Sequence, residues 1–145
     1  MLAENTVLTG RRAITRSYAK INLTLDVLSK RENGYHDIKM IMQTVSLFDL
    51  ILVDKTHRGI SISTNLPYLP CNEKNIAYKA ADAFFKATGI RGGAKIVIHK
   101  NIPVAAGLAG GSGNCAAVLT AINMLHGNPL SNDELMHIGA SLGAD

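Results

Sequence analysis

The feature that most constrains this chain is a glycine-rich run from Gly107 to Asn114, in which four of eight residues are glycine. Glycine has no Cβ, so such a run exposes successive backbone N–H groups and lets an anion approach the chain closely. An apolar stretch over residues 116–125 follows and predicts a helix. A helix N-terminus carries unpaired N–H donors and a partial positive charge. Together the two segments predict a phosphate-binding cradle, to which Ser112 adds a hydroxyl.

Other interpretations of this run are a flexible linker, a tight packing turn or another type of nucleotide loop. A Walker A loop ends in Gly-Lys-Ser/Thr, whereas residues 112–114 are Ser-Gly-Asn, which disfavours a P-loop NTPase. Gly111, Gly113 and Ala116 fit the dinucleotide pattern G-x-G-x-x-A. That fingerprint is followed by a strand ending in an acidic residue, but residues 117–142 predict two helices. A dinucleotide-binding domain therefore remains the lower-ranked alternative.

A strict alternation over residues 20–27 predicts a half-buried strand. Its apolar side chains, at odd positions from Ile21 to Val27, are expected to face the core. Lys20 and Asn22 then share the opposite, polar face of the strand. An Asn-Gly pair at residues 33–34 predicts a turn after this strand.

The remaining periodicities predict a mixture of strands and helices. Strands are expected over 38–53, 60–62 and 94–98, and helices over 72–89, 116–125 and 131–142. The last helix opens on Ser131 with Glu134 three residues later, a capping-box signature. Because the order is not a strict alternation of strand and helix, the predicted fold class is α+β. Residues 1–15 show no period and are expected to form a loose extension.

Composition excludes several classes of protein. The chain has 145 residues, 15 Lys+Arg and 11 Asp+Glu, so its net charge is +4. The charge is dispersed and aromatic residues make up only 5%, which argues against a nucleic-acid partner and is compatible with anionic small molecules. Two cysteines cannot build a disulfide framework. With no apolar signal region and no membrane-length run, we expect a cytoplasmic protein without a membrane partner.

Several motifs then carry a resemblance to a known family. The pattern Pro103-x-x-x-Gly107-Leu108-x-x-Gly111-Ser112 resembles the phosphate-loop signature of the GHMP small-molecule kinases, such as galactokinase, homoserine kinase and mevalonate kinase. Three further motifs resemble the branch that phosphorylates a cytidine-diphosphate-linked methylerythritol of the non-mevalonate isoprenoid pathway. They are Ala19-Lys20-Ile21-Asn22-Leu23, Asn33-Gly34-Tyr35-His36 and Leu142-Gly143-Ala144-Asp145.

The resemblance covers residues 16–145 and implies a fold and a domain organisation. The implied fold is the N-terminal, ATP-binding domain of GHMP kinases, like the second domain of ribosomal protein S5, with a mixed sheet and helices packed on one side. Relatives continue past the Gly-Ala-Asp segment into a C-terminal domain, so the chain is expected to be a truncated form that lacks that domain. A non-catalytic fragment that binds a nucleotide or a partner is therefore an alternative to an active kinase, as is another GHMP small-molecule kinase.

The resemblance also implies roles for individual residues. Asp145 matches the catalytic base and Lys20 its basic partner, an arrangement that keeps the carboxylate ionised and steadies developing charge. Asn22 matches a residue near the methylerythritol, and Tyr35 and His36 match positions that hold the cytosine ring. The implied cofactors are ATP and its Mg²⁺, with Ser112 as the candidate Mg²⁺ contact and no dedicated metal ligands. The implied ATP-binding loop comprises Pro103, Val104, Ala105, Ala106, Gly107, Leu108, Ala109, Gly110, Gly111, Ser112 and Gly113.

Some positions depart from the family pattern. Tyr18 stands where the family usually has proline, and Cys115 replaces an alanine. Gly113 stands where a second serine is usual, so we expect the loss of one hydroxyl near the phosphates. The residues that contact the adenine are expected in the loop over 65–75. Cys115 is expected to be a small buried residue and not a nucleophile.

Overall fold

The structure, a computed structural model, describes residues 3–143. A 3-10 turn over Ala3–Asn5 precedes five strands and three helices, in agreement with the α+β prediction. The strands are β1 (Thr6–Thr9), β2 (Arg12–Lys30), β3 (His36–Thr56), β4 (Gly59–Thr64) and β5 (Gly93–His99). The helices are α1 (Ile76–Thr88), α2 (Gly110–Leu125) and α3 (Asn132–Ser141).

The strands form one mixed sheet in the order β1-β2-β3-β5-β4. The pairs β1–β2, β2–β3 and β3–β5 are antiparallel, and β4 runs parallel to β5 with α1 in the connection between them. This topology lacks the run of parallel strands that a doubly wound dinucleotide-binding fold requires. The three residues of the G-x-G-x-x-A pattern lie inside α2, and α3 follows it. The fold therefore argues against the dinucleotide-binding alternative.

The core lies between one face of the sheet and the helices. Alternate residues of β2 from Ala13 to Ala19 are buried, as are Ile51 and Val53 of β3. This is the period of two expected of a sheet with one covered face. Helix α2 contacts α1, α3 and strands β2 and β3, and it is buried around most of its circumference. A helix that is apolar on nearly all sides is typical of such a central position.

The helix boundaries largely follow the expected signals. The side chain of Asn75 caps α1, three residues after the predicted start, and Gly89 ends it in the left-handed conformation. Ser131 and Glu134 form both hydrogen bonds of the predicted capping box. Helix α2 begins at Gly110, six residues before the predicted position. The helix thus includes Gly110, Gly111 and Gly113 although glycine has a low helix propensity, and α2 as a whole packs against α1, β2 and β3.

The outer half of the β2–β3 hairpin, residues 20–47, forms an arm in which none of the residues is buried. The alternation over residues 20–27 correctly predicted a strand, but the expectation that its apolar face is buried was wrong. Leu23, Leu25 and Val27 are between 50% and 61% exposed. Periodicity reports which side chains share a face, whereas burial depends on what packs against that face.

Residues 6–15 also differ from the prediction. We expected residues 1–15 to be a loose extension, but the structure places Thr6–Thr9 in β1 and starts β2 at Arg12. The side chains of Thr6 and Thr15 are hydrogen bonded across the two strands at 2.9 Å. The short hairpin adds an edge strand to the sheet, a pairing that local periodicity over four residues cannot reveal.

Candidate active site

The connection between β5 and α2, residues 100–109, is held at its start by Asp49 of β3. The Asp49 side chain is fully buried. Its Oδ1 accepts hydrogen bonds from the backbone N–H groups of Asn101, at 2.7 Å, and Ile102, at 2.8 Å. Its Oδ2 accepts from the buried ammonium group of Lys100. The loop therefore leaves the sheet in a defined direction.

The loop adopts an unusual backbone conformation after Pro103. Ala105, Gly107 and Ala109 have φ angles of 58°, 71° and 60°, so every second residue is left-handed. Such alternation turns successive N–H groups toward one side of the chain and forms an anion-binding concavity. Only Gly107 adopts this conformation without a steric penalty, and the two alanines each introduce backbone strain.

A cavity of about 490 Å³ lies against this loop. The opposite wall comes from the segment before and at the start of α1, including Leu69 and Lys74, so part of the predicted adenine loop over 65–75 borders the cavity. Ten of the eleven predicted ATP-loop residues line it: Pro103, Val104, Ala105, Ala106, Gly107, Leu108, Ala109, Gly110, Gly111 and Ser112.

Gly113 does not line the cavity, and here the placement differs from the prediction. A Cβ on Gly113 would lie 2.5 Å from the Oγ of Ser17 in β2. A side chain at this position therefore points at the sheet. We expected Gly113 to remove a hydroxyl from the phosphate site, but its role in the structure is the close approach of α2 to β2.

The N-terminus of α2 faces the cavity through Gly110, Gly111 and Ser112. No side chain caps this end, and its first turn contains no acidic residue. The first N–H groups of a helix lack intrahelical partners, and the helix dipole makes this end attractive to anions. The cavity therefore combines donors from the loop with donors from the helix.

Sequence reasoning missed Asn114, which also lines the cavity. Its side chain is 4% exposed, and its Oδ1 has no hydrogen-bond partner among the described residues. Buried polar atoms are seldom left unpaired in folded proteins. The available sequence signal was the position of Asn114 directly after the glycine-rich run, where a polar side chain follows the predicted phosphate-binding glycines.

Lys20 contacts the loop directly. Its backbone N–H donates a hydrogen bond to the carbonyl oxygen of Leu108 at 3.2 Å. Its Nζ donates to Oδ1 of Asn22 at 3.1 Å, which shows that the two side chains share a face as expected. The structure therefore brings Lys20, Asn22 and the loop together, although Lys20 and Asn22 do not line the cavity.

Tyr35 and His36 lie at the far end of the hairpin arm. Tyr35 is 74% exposed. Lys30, which pairs with His36, lies ten positions after Lys20, and this separation corresponds to about 33 Å of extended strand. The β2–β3 pairing has three register irregularities between Tyr18 and Ser29, and strands bend most readily at such places. The structure thus does not bring Tyr35 and His36 to the loop.

An ion pair holds the arm's turn together. Arg31 and Ser29 donate hydrogen bonds to the carboxylate of Asp37 at 2.6 and 2.8 Å. The bond from Arg31, followed by that from Ser29, holds the pKa of Asp37 below its ordinary value. The turn that presents Tyr35 is further closed by a hydrogen bond from its backbone N–H to the side chain of Asn33 at 3.1 Å.

Three further predictions were made, for the catalytic base, the metal ligands and Cys115. Asp145 lies outside the described residues. Within residues 3–143, no three His, Cys, Asp or Glu side chains are grouped so that they could hold a metal ion. Cys115 is buried in α2, and burial raises its pKa to about 11, so its thiol is protonated at neutral pH. This agrees with the expectation that Cys115 is not a nucleophile.

Residues 75–145 match the GHMP kinases N terminal domain family. The chain thus has the fold of the N-terminal domain of GHMP kinases, a class of phosphotransferases, and its residues 75–145 carry the sequence pattern of that domain. Among curated proteins, it is 50% identical over 130 residues to 4-diphosphocytidyl-2-C-methyl-D-erythritol kinase of Clostridium botulinum (strain Alaska E43 / Type E3). It is also 51% identical over 133 residues to the kinase of the same name from Caldicellulosiruptor saccharolyticus.

The matches cover most of this chain but less than half of each relative. They span 90% and 91% of the chain and 46% of each of the two kinases. A crystal structure of 4-(cytidine 5'-diphospho)-2C-methyl-D-erythritol kinase superimposes with a TM-score of 0.78 at 36% identity, over 91% of this chain and 46% of that one. A homoserine kinase from Cytophaga hutchinsonii shares the fold at 18% identity, with a TM-score of 0.72 over 94% of this chain and 42% of that one. The chain thus spans about half the length of the relatives it matches.

None of the helices in the described range combines the length and apolar character that a membrane span requires.

Proposed function

We propose that this chain forms the ATP-binding half of a kinase that phosphorylates a hydroxyl group of 4-diphosphocytidyl-2-C-methyl-D-erythritol. The observation that carries the proposal is the hydrogen bond from the backbone N–H of Lys20 to the carbonyl oxygen of Leu108, in the loop between β5 and α2. Lys20 matches the family's basic catalytic residue, and this hydrogen bond places it beside a loop that lines the cavity. The donors of that cavity suit a triphosphate. Relatives about 50% identical carry this activity in their names.

The donors around the cavity fit the phosphate chain of ATP. Phosphoryl transfer depends chiefly on positioning and on neutralising charge at the oxygens of the transferred group. The loop amides and the N-terminus of α2 would bind the β- and γ-phosphates, and the segment around Leu69 and Lys74 would enclose the nucleoside. At Gly107 and Gly111 nothing lies within 4 Å of the position that a Cβ would take, so phosphates have room to approach the backbone closely.

On this proposal, phosphoryl transfer takes place on the side of the loop that Lys20 contacts. In the proposed step, the acceptor hydroxyl gives its proton to the carboxylate of Asp145, and its oxygen forms a bond to the γ-phosphorus. The bond from that phosphorus to the bridging oxygen breaks, and ADP leaves. Lys20 would stabilise the negative charge that develops on the transferred group. Asn22, whose Oδ1 already accepts from Lys20, would keep its NH₂ group free for the acceptor.

The cytidine end of the substrate would reach the arm. Tyr35 offers an exposed ring for stacking, and His36 offers hydrogen-bonding groups beside it. The length of the arm requires it to bend toward the loop when one substrate contacts both ends. The irregularities in the β2–β3 pairing are the places where this bending would occur.

Mg²⁺ would enter with ATP. This ion prefers oxygen ligands and usually keeps several waters while it binds phosphate oxygens. The site fits that mode, because it offers the hydroxyl of Ser112 and lacks a cluster of acidic ligands among the described residues. Bound there, Mg²⁺ would neutralise phosphate charge.

The two free cysteines, Cys71 and Cys115, fit a reducing compartment, and we place the protein in the cytoplasm.

The test measures ADP release with the cytidyl substrate, together with calorimetric titration of a non-hydrolysable ATP analogue. We expect Lys20→Ala and Asp145→Asn to abolish most turnover while analogue binding persists. Lys95→Ala, which removes an exposed lysine from β5, is the matched control and should change neither. Turnover that is unaffected by both active-site substitutions would refute the assignment. Binding without any turnover in the unsubstituted chain would favour a non-catalytic nucleotide-binding fragment.

A further inference from the structure

The buried ion pair between Asp49 and Lys100 lies beside the proposed phosphate site, and the proposed function does not use its ammonium group. The two side chains are 0% and 5% exposed. Burying two charges carries a large desolvation penalty, and a well-packed apolar pair would often be at least as stable. General stability is therefore a weak explanation for this pair at this position.

The two carboxylate oxygens of Asp49 make different contacts. Oδ1 accepts hydrogen bonds from the backbone N–H groups of Asn101 and Ile102, which directly precede Pro103. Oδ2 accepts from Nζ of Lys100. One oxygen thus fixes the main chain as it leaves β5, and the other fixes the position of an ammonium group.

The ammonium group is held against the first residue of α2. A Cβ on Gly110 would lie 3.0 Å from Nζ of Lys100 and 3.1 Å from Cγ2 of Ile102. The absence of a side chain at Gly110 is therefore what allows Lys100 to reach the helix start. Lys100 and Gly110 both line the cavity, so this charge lies beside the helix N–H donors.

We propose that Asp49 is a positioning residue of the nucleotide site, where it fixes the start of the phosphate loop and holds the Lys100 ammonium at the N-terminus of α2. The pair has no net charge, but Lys100 lines the cavity and Asp49 does not, so the positive end of the pair would face the phosphates of a nucleoside triphosphate. This proposal rests on the proposed function, because it assumes that the phosphates bind at this end of the cavity. Its consequence is specific: the pair contributes to phosphate binding and not to nucleoside binding.

The experiment titrates the full chain with a non-hydrolysable ATP analogue and with adenosine, at a temperature where circular dichroism shows each variant folded. For Asp49→Asn we expect analogue affinity to fall about tenfold or more, as for the loss of a charge-assisted contact, and adenosine affinity to stay within about twofold. Lys100→Met, which keeps the two backbone donors to Oδ1 of Asp49 but removes the donor to its Oδ2, should give the same selective loss. A merely structural pair would lower the melting temperature without changing the ratio of the two affinities.

Asp54→Asn is the matched control, because Asp54 lies on the same strand in a partly exposed ion pair with Arg12. We expect it to change neither affinity. Equal losses for both ligands, or no loss in Asp49→Asn and Lys100→Met, would overturn the proposal.

Amide hydrogen exchange provides a measurement that does not need nucleotide. In Asp49→Ala, protection of Asn101 and Ile102 should be lost while the β2–β3 pairing keeps its protection. Unchanged protection of these two amides would contradict the proposal even where nucleotide binds. If the unsubstituted chain binds no analogue, the proposed function fails, and the exchange result alone decides whether Asp49 positions the loop.

Discussion

Replacing Gly113 with alanine tests the packing of α2 on β2. The new Cβ would lie 2.5 Å from Oγ of Ser17 and 3.9 Å from its Cβ. The first distance is shorter than any normal contact, so either the buried Ser17 hydroxyl must rotate away or the helix and strand must move apart. Forcing an extra methyl group into a packed core typically costs about 1–3 kcal/mol. The replacement of glycine by alanine within a helix offsets about 1 kcal/mol of this cost.

Removing the Ser17 hydroxyl should reverse the sign of the effect. With alanine at both positions the nearest side-chain contact becomes 3.9 Å, an ordinary van der Waals separation. The helix-propensity gain of about 1 kcal/mol then remains without the clash. Ser17→Ala alone should also stabilise the chain by roughly 1 kcal/mol, because its buried Oγ has no hydrogen-bond partner among the described residues.

The assay is urea unfolding followed by circular dichroism for the four proteins of this double-mutant cycle. The free energies of unfolding, extrapolated to water, should show a coupling of about 1–3 kcal/mol between positions 17 and 113. Gly111→Ala is the matched control in the same helical turn, because nothing lies within 4 Å of its Cβ position. It should give the same small gain with and without the Ser17→Ala substitution. Additive effects for positions 17 and 113, within about 0.5 kcal/mol, would refute the close contact.

Ala109→Gly should raise the free energy of unfolding by roughly 0.5–1 kcal/mol, because glycine removes the left-handed strain at φ 60° but adds entropy to the unfolded chain; a loss in urea unfolding would contradict this. Burial lowers the pKa of His126, so the unfolded chain takes up the proton first as pH falls below 6.5. Stability should therefore decline on acidification in the unsubstituted chain, and measurably less in His126→Phe; parallel pH profiles would contradict the assignment. Ellman's reagent should modify only the exposed Cys71 in the native chain and both cysteines in urea, whereas native reactivity of Cys115 would show that α2 is not buried as described.

Local sequence signals predicted much of the fold. The turn chemistry of glycine, the Ser131–Glu134 capping box and the alternation over residues 20–27 each depend on neighbours within a few positions, so their structural outcome can be inferred without the rest of the chain. The glycine-rich run over 107–114 belongs to this group, whereas the eleven-residue ATP loop came from the resemblance; ten of its residues line the cavity, and its binding of ATP remains a prediction. The roles of Lys20, Asn22, Tyr35, His36 and Asp145 remain predictions from the resemblance.

By itself, the sequence determined which segments become strands and helices and where a backbone rich in N–H donors would occur, because backbone sterics and side-chain periodicity act locally. Only the tertiary structure decided that the arm is exposed, that Asp49 reaches the distant start of the loop at residues 100–102, and that Gly113 packs on Ser17. These outcomes depend on which distant segments meet when the sheet and helices pack. Contacts of this kind carry no periodic signature along the chain.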